Sequence, residues 1–435
     1  MVLEKSFTLK ENFIWTLLGN VFYAFTQWLI LLILARKGNP AMVGQFALAM
    51  ALTAPVILFS NLKLRDVQAT DVSNQFEFKH YFTLRAWTVL AALLMVAVIS
   101  LWGNYQTDTV SIILMVACIK GVESISDIVY GRHQQKENMR LISLSLFLRG
   151  AISALAFYLA MKFSGSLLWS CTGLLLVRLG VLILYDFKSI GIKAELLKAA
   201  DKISFTAKSM MKGIKDRKAS ELLRRSFPLG FAALAVSLVP NIPNYVLERY
   251  HGEYELGVFS SLMYLQVIGN TLVMALGQAA SPRLSRLFDR GNTFQFTGFF
   301  IRLLSGAAAL GILGIAAAGL FGESILDLLL GKIYTSHNDL FILVMISGGI
   351  SYVVSFTSFA LLSIKKYQAQ LWINITVLVF SIIISFALIS QRGALGAAYS
   401  LIFTMLMQAI LNMSVVFYEI YKEHNIRLIR NGIRL

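Results

Sequence analysis

Long apolar runs separated by short polar turns make up most of this 435-residue chain. A helix needs about 20 predominantly apolar residues to cross a bilayer, and about twelve stretches approach or exceed that length. These stretches lie at 12–34, 42–62, 86–102, 109–130, 141–161, 166–187, 226–246, 257–280, 303–321, 339–363, 368–389 and 394–417. A shorter apolar stretch at 323–332 is predicted to lie at the membrane surface. The pattern therefore predicts an all-α polytopic membrane protein with about 12 transmembrane helices.

One long basic stretch divides these predicted helices into two sets of six. The resulting organisation is an N-terminal six-helix lobe at 1–187 and a basic amphipathic connector at 188–225. A C-terminal six-helix lobe at 226–417 and a basic tail at 418–435 complete the chain. Apolar residues of the connector alternate with lysines, which is typical of a segment that lies against anionic headgroups.

The two halves share a sequence pattern. Residues 34–50 set over 247–263 give five identical residues at one offset of 213. A weaker match sets GSLLWS (165–170) over GALGAA (393–398). Because each half has an even number of helices, both halves cross the bilayer in the same sense, as in parallel-repeat transporters. The repeat predicts two lobes around a central cavity that opens alternately to each side of the membrane.

Composition supports a membrane protein. Hydrophobic residues make up 57% of the chain and charged residues only 14%, with a mean hydropathy of +0.69, whereas soluble domains are about 25% charged. The first apolar run lacks a small-residue cleavage site and is long enough to span, so no cleavable signal peptide is predicted. Cys118 and Cys171 both lie in apolar runs, which argues against a disulfide framework and a cysteine-ligated metal site.

The net charge of +16 is mostly a signal of topology. If the N-terminus faces inward, the inner segments hold 30 of the 39 Lys and Arg residues and the outward loops hold six. The positive-inside rule then places both termini in the cytoplasm. No nucleic-acid-binding motif accompanies the basic connector, so nucleic acid is not a predicted partner.

Charged residues interrupt three of the predicted helices. Lys120, Glu123 and Asp127 follow an i, i+3, i+7 spacing and so lie on one helical face. Arg149 and Arg178 lie in the next two helices. A charge at the centre of a membrane helix costs roughly 2.5–3.5 kcal/mol, so these residues are expected to meet water or partners. Glu123 is the one acid predicted to lie near the three cations.

Several segments resemble a known transporter family. The run NYVLERYHGEYELGVFSSLMYLQVIGNTLVMALGQAASPRLSRLF (244–288) is similar to the start of the second lobe in polysaccharide-exporter flippases of the multidrug/oligosaccharidyl-lipid/polysaccharide (MOP) superfamily. Segments 35–66, 127–150 and 393–410 resemble other parts of the same family. The resemblance covers most of the chain. It implies the MOP flippase fold and the movement of a polyprenyl-pyrophosphate-linked oligosaccharide across the bacterial cytoplasmic membrane.

A pyrophosphate substrate would require cationic donors. Lys120, Arg149 and Arg178 are therefore predicted to bind it, and Arg65 to attract it at the inner mouth. The alternative is that these cations form ion pairs or anchors that hold helices in place. Glu123 and Asp127 are predicted to balance charge or to take up a coupling H⁺ or Na⁺ ion, although passive flipping is equally open. Amides of the second lobe are predicted either to face sugar or to join helices: Asn241, Asn244, Asn270, Gln278, Asn374 and Gln408.

The sequence leaves two other classes of function as alternatives. A cation-coupled multidrug antiporter of the same superfamily would need an acidic cavity, whereas this one is predicted to be basic. A membrane glycan polymerase or ligase would need an outward domain with acid–base groups, and the predicted outward loops are short. No catalytic residue, metal site or cofactor is predicted. The predicted partners are anionic lipids and polysaccharide polymerase or assembly proteins.

Overall fold

The structure, a computed structural model, describes residues 8–71, 75–190 and 217–430. Every regular element in those ranges is helical. Nine of the described helices are long and apolar enough to cross a membrane. The all-α, multi-pass fold is therefore confirmed, and the count of twelve transmembrane helices stays a prediction.

The chain divides into two compact units between Ser237 and Leu238. The first unit begins with six helices: α1 (Leu9–Lys37), α2 (Pro40–Ser60), α3 (Leu64–Thr70), α4 (Phe78–Trp102), α5 (Thr107–Gln135) and α6 (Met139–Ser164). Helix α7 (Leu167–Val181) continues through a π-helical turn (Leu182–Asp186) into α8 (Phe187–Ser189). Helix α9 (Arg217–Leu238) follows. Its Leu222 is fully buried in a cluster with Leu62 and Tyr81, which ties the start of α9 to this unit. Residues 191–216 of the predicted connector lie outside the described residues.

The described part of the second unit contains five α-helices: α10 (Ile242–Tyr264), α11 (Val267–Asp289), α12 (Thr293–Leu329), α13 (Asn338–Ser363) and α14 (Tyr367–Arg430). Two of them are kinked at a glycine whose φ is positive, Gly252 in α10 (+80°) and Gly393 in α14 (+55°). Each kink falls between two of the predicted transmembrane helices. A glycine suits such a position because it adopts a positive φ without steric cost.

The internal repeat coincides with positions under structural constraint. Gly165 and Gly393, which the weaker match aligns, both adopt a positive φ, +61° and +55° respectively. Leu34 and Leu247, which the stronger match aligns, are both completely buried. Some of the residues retained in both halves therefore lie at a break between helices or in the packed interior, whereas the aligned Arg36 and Arg249 are both exposed.

One predicted boundary is wrong, and another stretch is continuous with its neighbouring helix. The third predicted helix, 86–102, begins at Phe78, so Arg85 is not a loop residue but lies inside α4 and is 1% exposed. Partners on neighbouring helices satisfy its charge, which a hydropathy pattern cannot detect. The stretch 323–332, predicted to lie at the membrane surface, continues α12 as far as Leu329, and its position at the surface stays a prediction. The helix ends only next to Gly331, whose φ is +106°.

Candidate functional site

Glu123 lies at the centre of a cluster of polar side chains inside the first unit. Lys120 Nζ donates to Glu123 Oε2 at 3.0 Å, and Arg178 Nη1 pairs with Glu123 Oε1. Tyr23 Oη donates to the same oxygen at 2.6 Å. One carboxylate therefore serves two cations, which leaves this group with one unit of surplus positive charge.

Helix α1 holds this cluster from the opposite side. Tyr23 and Gln27 lie four residues apart, so they project from one face of α1. Arg178 Nη2 donates to Gln27 Oε1 at 3.1 Å. The Arg178 side chain is only 3% exposed, yet its Nε and the Nε2 of Gln27 are buried without a hydrogen-bond partner. Unsatisfied buried donors of this kind cost about 1–3 kcal/mol each, and they lie beside surplus positive charge.

A pocket of about 80 Å³ lies beside these donors within the first unit. Its polar wall consists of Gln27, Lys120 and Arg178. The remainder is apolar: Ile30, Leu31, Phe46, Met50, Val116, Ile119 and Leu174. A water molecule needs roughly 10–15 Å³ of such space, so the pocket has room for several waters or a small ion. It is well below the 300–1,000 Å³ typical of sites for larger organic ligands.

Arg149 belongs to a separate buried network. Its Nη2 donates to Asp186 Oδ2 at 3.1 Å and to Ser126 Oγ at 2.6 Å, and Ser145 Oγ donates to Asp186 Oδ1 at 2.6 Å. The Arg149 and Asp186 side chains are 3% and 1% exposed. The prediction that Glu123 is the one acid near the cations is wrong, because Asp186 neutralises Arg149. The assignment of Arg149 to pyrophosphate stays a prediction.

Asp127 is shared by two arginines near the junction of α3, α4 and α5. Arg65 Nη1 donates to its Oδ1 at 3.0 Å, and Arg85 Nη2 approaches its Oδ2 at 3.5 Å. Arg65 also donates from Nε to Gln134 Oε1 at 3.1 Å, and Arg85 bonds to Asn61. Arg65 and Asp127 are 34% and 29% exposed, somewhat more than Lys120 and Glu123 at 24% and 18%, so both groups are partly open and the one around Asp127 is the more accessible.

The predicted sugar-facing amides lie in the second unit. Asn270 Oδ1 accepts from Ser351 Oγ at 3.2 Å, which links α11 to α13. Gln408 Nε2 donates to Asn374 Oδ1 at 3.4 Å, which links the two arms of α14. Asn241 and Asn244 are half-buried at the junction of α9 and α10, and Gln278 is exposed. The bonds of Asn270, Asn374 and Gln408 are of the kind that joins helices, which is the alternative role predicted for these amides. Their contact with sugar stays a prediction.

The members of these clusters that the sequence-based prediction omitted include Tyr23, Gln27, Arg85 and Asp186. Asp186 carried a usable signal, since it is a carboxylate inside the predicted helix 166–187. It lies in the π-helical turn, a feature that is frequent at functional sites. Tyr23 and Gln27 carried none beyond their helical spacing, because uncharged polar residues are common in membrane helices.

Comparison with known proteins agrees with the predicted family. The family described as polysaccharide biosynthesis protein matches residues 9–288, more than half of the chain. The capsular polysaccharide biosynthesis protein CapF from Staphylococcus aureus is 28% identical over 394 residues, which cover 90% of this chain and 95% of CapF.

Solved structures share the fold at low sequence identity. An inward-facing multidrug resistance MATE family transporter of the MOP superfamily superposes with a TM-score of 0.71 at 11% identity, covering 94% of this chain and 99% of that one. Lipid II flippase MurJ, in an inward closed conformation, superposes with a TM-score of 0.66 at 11% identity, covering 96% and 91% respectively. The chain is thus a multi-pass membrane protein that belongs to the polysaccharide biosynthesis protein family and has the fold of MOP-superfamily transporters.

Proposed function

We propose that this protein is a flippase that moves a polyprenyl-pyrophosphate-linked oligosaccharide, a polysaccharide repeat unit, across the bacterial cytoplasmic membrane by alternating access. Membership of a polysaccharide biosynthesis family supports a glycan substrate. The names of CapF and of lipid II flippase MurJ support a capsule-type polymer and a lipid-linked precursor. Both termini face the cytoplasm in this proposal, and the polymerase or assembly proteins that consume the exported unit are its expected partners.

The observation that carries the proposal is the surplus positive charge around Glu123. Lys120 and Arg178 share one carboxylate inside a membrane-spanning bundle, where an unbalanced charge is costly. A pyrophosphate group brings negative charge and acceptor oxygens, and a guanidinium binds such oxygens in a two-point fork. The substrate supplies the negative charge that the empty site lacks, and the rest of its charge requires a further cation, for which Arg65 is the predicted candidate at the inner mouth.

The acids in this proposal balance charge. Glu123 accepts hydrogen bonds from Lys120, Arg178 and Tyr23, all of which favour the ionised carboxylate. It therefore keeps two neighbouring cations from repelling each other before the substrate arrives. Asp127 does the same for Arg65 and Arg85, and the exposed edge of Arg65 is the expected first contact for the headgroup. Coupling to H⁺ or Na⁺ would require one of these carboxylates to leave its cations.

A reconstituted flipping assay tests the proposal. Purified protein in liposomes should move a fluorescent polyprenyl-pyrophosphate oligosaccharide between leaflets, measured as the fraction protected from an external quencher. Lys120→Gln should lower the initial rate at least tenfold, while Lys162→Gln, which alters an exposed lysine at the end of α6, should leave it unchanged.

The same liposomes distinguish a multidrug antiporter. Likeness to a MATE transporter shows the fold alone, and a cavity for organic cations should be acidic rather than basic. Efflux of a cationic dye driven by an ion gradient, without movement of the lipid-linked oligosaccharide, would refute the flippase and support the antiporter. Movement of the oligosaccharide without dye efflux is the expected result.

A further inference from the structure

Three residues that line the pocket carry hydrogen-bond donors: Gln27, Lys120 and Arg178. Some of these donors have no acceptor in the structure. The Lys120 ammonium has three N–H groups, and in the structure one donates to Glu123. The amide of Gln27 is oriented unambiguously, since a guanidinium has no acceptor and so only the Gln27 oxygen can face Arg178. Gln27 and Arg178 both line the pocket, and the Gln27 Nε2 group and the Arg178 Nε group are buried without a hydrogen-bond partner.

The net charge around the pocket indicates the charge of the ligand that would balance it. Lys120 and Arg178 carry two positive charges against the one negative charge of Glu123. The neighbouring Arg149 and Asp186 neutralise each other, so they do not change the sum. The remaining charge of +1 is balanced by one monovalent anion. A pyrophosphate carries more negative charge than this pocket alone can neutralise.

The size and walls of the pocket favour a halide. Its volume of about 80 Å³ admits a halide with a few waters. Seven of the ten residues that line it are apolar. Apolar walls offer nothing to replace lost hydration, so a weakly hydrated anion such as chloride or bromide enters at lower cost than sulfate or phosphate.

We infer that this pocket binds a monovalent inorganic anion of halide size, with Lys120, Arg178 and Gln27 as its donors. The bound anion balances the surplus charge of the cluster around Glu123 and supplies an acceptor beside the unpaired donors of Gln27 and Arg178. The inference does not depend on the proposed function, because the donors and the surplus charge are present whatever substrate is moved. If the substrate's pyrophosphate reaches Lys120 and Arg178, the halide must leave as the headgroup binds.

Anion-dependent thermal unfolding tests this site. The purified protein in detergent and potassium gluconate is titrated with KCl or KBr at constant ionic strength, and unfolding is followed by tryptophan fluorescence. The expected result is a saturable rise in melting temperature, since a ligand that binds only the folded state stabilises it. Lys120→Gln should abolish the rise. Gln27→Leu should weaken the apparent halide affinity about tenfold, the effect of one lost hydrogen bond to an ion.

Matched variants control for non-specific salt effects. Lys162→Gln removes an exposed cation, and Gln45→Leu removes an amide that donates to Thr109 outside the pocket. Both should retain the full halide response. An equal response in all four variants would place any halide elsewhere and overturn the inference.

Bromide diffraction provides a direct readout that needs no variant. Crystals of the unaltered protein in KBr should show an anomalous peak within hydrogen-bond distance of Lys120 and Arg178, and its absence there would overturn the inference. A further titration uses inorganic pyrophosphate. Stabilisation by pyrophosphate but not by halides would also overturn the halide site, while leaving the proposed function intact.

Discussion

Replacing Asp186 with Asn should destabilise the first unit severely. The substitution keeps the shape of the side chain, and an amide oxygen can still accept the hydrogen bond from Ser145 that now reaches Asp186 at 2.6 Å. What is lost is the negative charge 3.1 Å from the Arg149 guanidinium. Arg149 would then be a buried cation without a direct ion-pair partner, since its other described contacts are the neutral Ser126 and the ring of Tyr130.

The magnitude follows from burial. The two side chains are 3% and 1% exposed, so water cannot replace the lost carboxylate. Removing one partner of a buried ion pair typically costs about 3–5 kcal/mol, and an exposed pair contributes only about 0–1 kcal/mol. Asp66→Asn is the matched control. It makes the same chemical change in a pair with Lys63 whose side chains are 61% and 55% exposed.

Equilibrium unfolding in mixed detergent micelles measures both variants. Asp186→Asn should lower the free energy of unfolding by about 3–5 kcal/mol, and Asp66→Asn by less than about 1 kcal/mol. A loss below about 1 kcal/mol for Asp186→Asn, or equal losses for the two variants, would refute the view that Arg149 and Asp186 form a stabilising pair.

A double variant separates a structural role of Arg149 from substrate binding. Arg149→Met combined with Asp186→Leu removes both charges together, and apolar replacement of a buried pair is often neutral in stability. If Arg149 only joins helices, the double variant should be stable and should export glycan normally in a complementation assay. A stable double variant without export would instead assign Arg149 to the substrate.

Three further predictions concern substrate binding, backbone conformation and topology. Arg178→Gln should abolish glycan export at normal membrane levels, and Arg178→Lys should restore part of it, since charge returns without the two-point fork; normal export by the Gln variant would exclude a phosphate-binding role. Gly165→Ala should lower the free energy of unfolding by about 1–2 kcal/mol because φ is +61° there, whereas Gly180→Ala, inside α7 with open space around it, should not destabilise; equal losses would contradict the conformational argument. Reporter fusions after residues 104, 163, 251 and 392 should report outside and fusions in 188–225 inside, and an inside signal at 251 would contradict the predicted topology.

Much of the architecture was available from the amino-acid sequence. Runs of about 20 apolar residues define membrane helices because lipid offers no partner to an exposed backbone. Gly165 and Gly393 could be aligned from sequence, and both lie at breaks between helices with positive φ. The family resemblance was also present in the sequence, and the match over residues 9–288 confirms it.

The helix boundaries show where this reasoning fails. Arg85 directly precedes the apolar run 86–102, so the hydropathy pattern leaves it outside the helix although it lies inside α4. Asp127 pairs with its charge and Asn61 accepts a hydrogen bond from it, and both residues are far from Arg85 in sequence. The cost of burying a charge depends on such partners, and the pattern along a single helix does not contain them.

The candidate site shows most clearly which features the sequence determines and which the tertiary structure determines. The sequence by itself determined that Lys120, Glu123, Arg149 and Arg178 lie inside membrane helices, because their flanking residues are apolar. Only the tertiary structure decided the pairing, in which Glu123 serves Lys120 and Arg178 while Asp186 serves Arg149. Helical periodicity specifies the face on which a side chain lies, but not which face of which neighbouring helix it meets. That depends on how α1, α5, α6 and α7 pack together, and the packing of α1, α2, α5 and α7 creates the pocket beside Gln27.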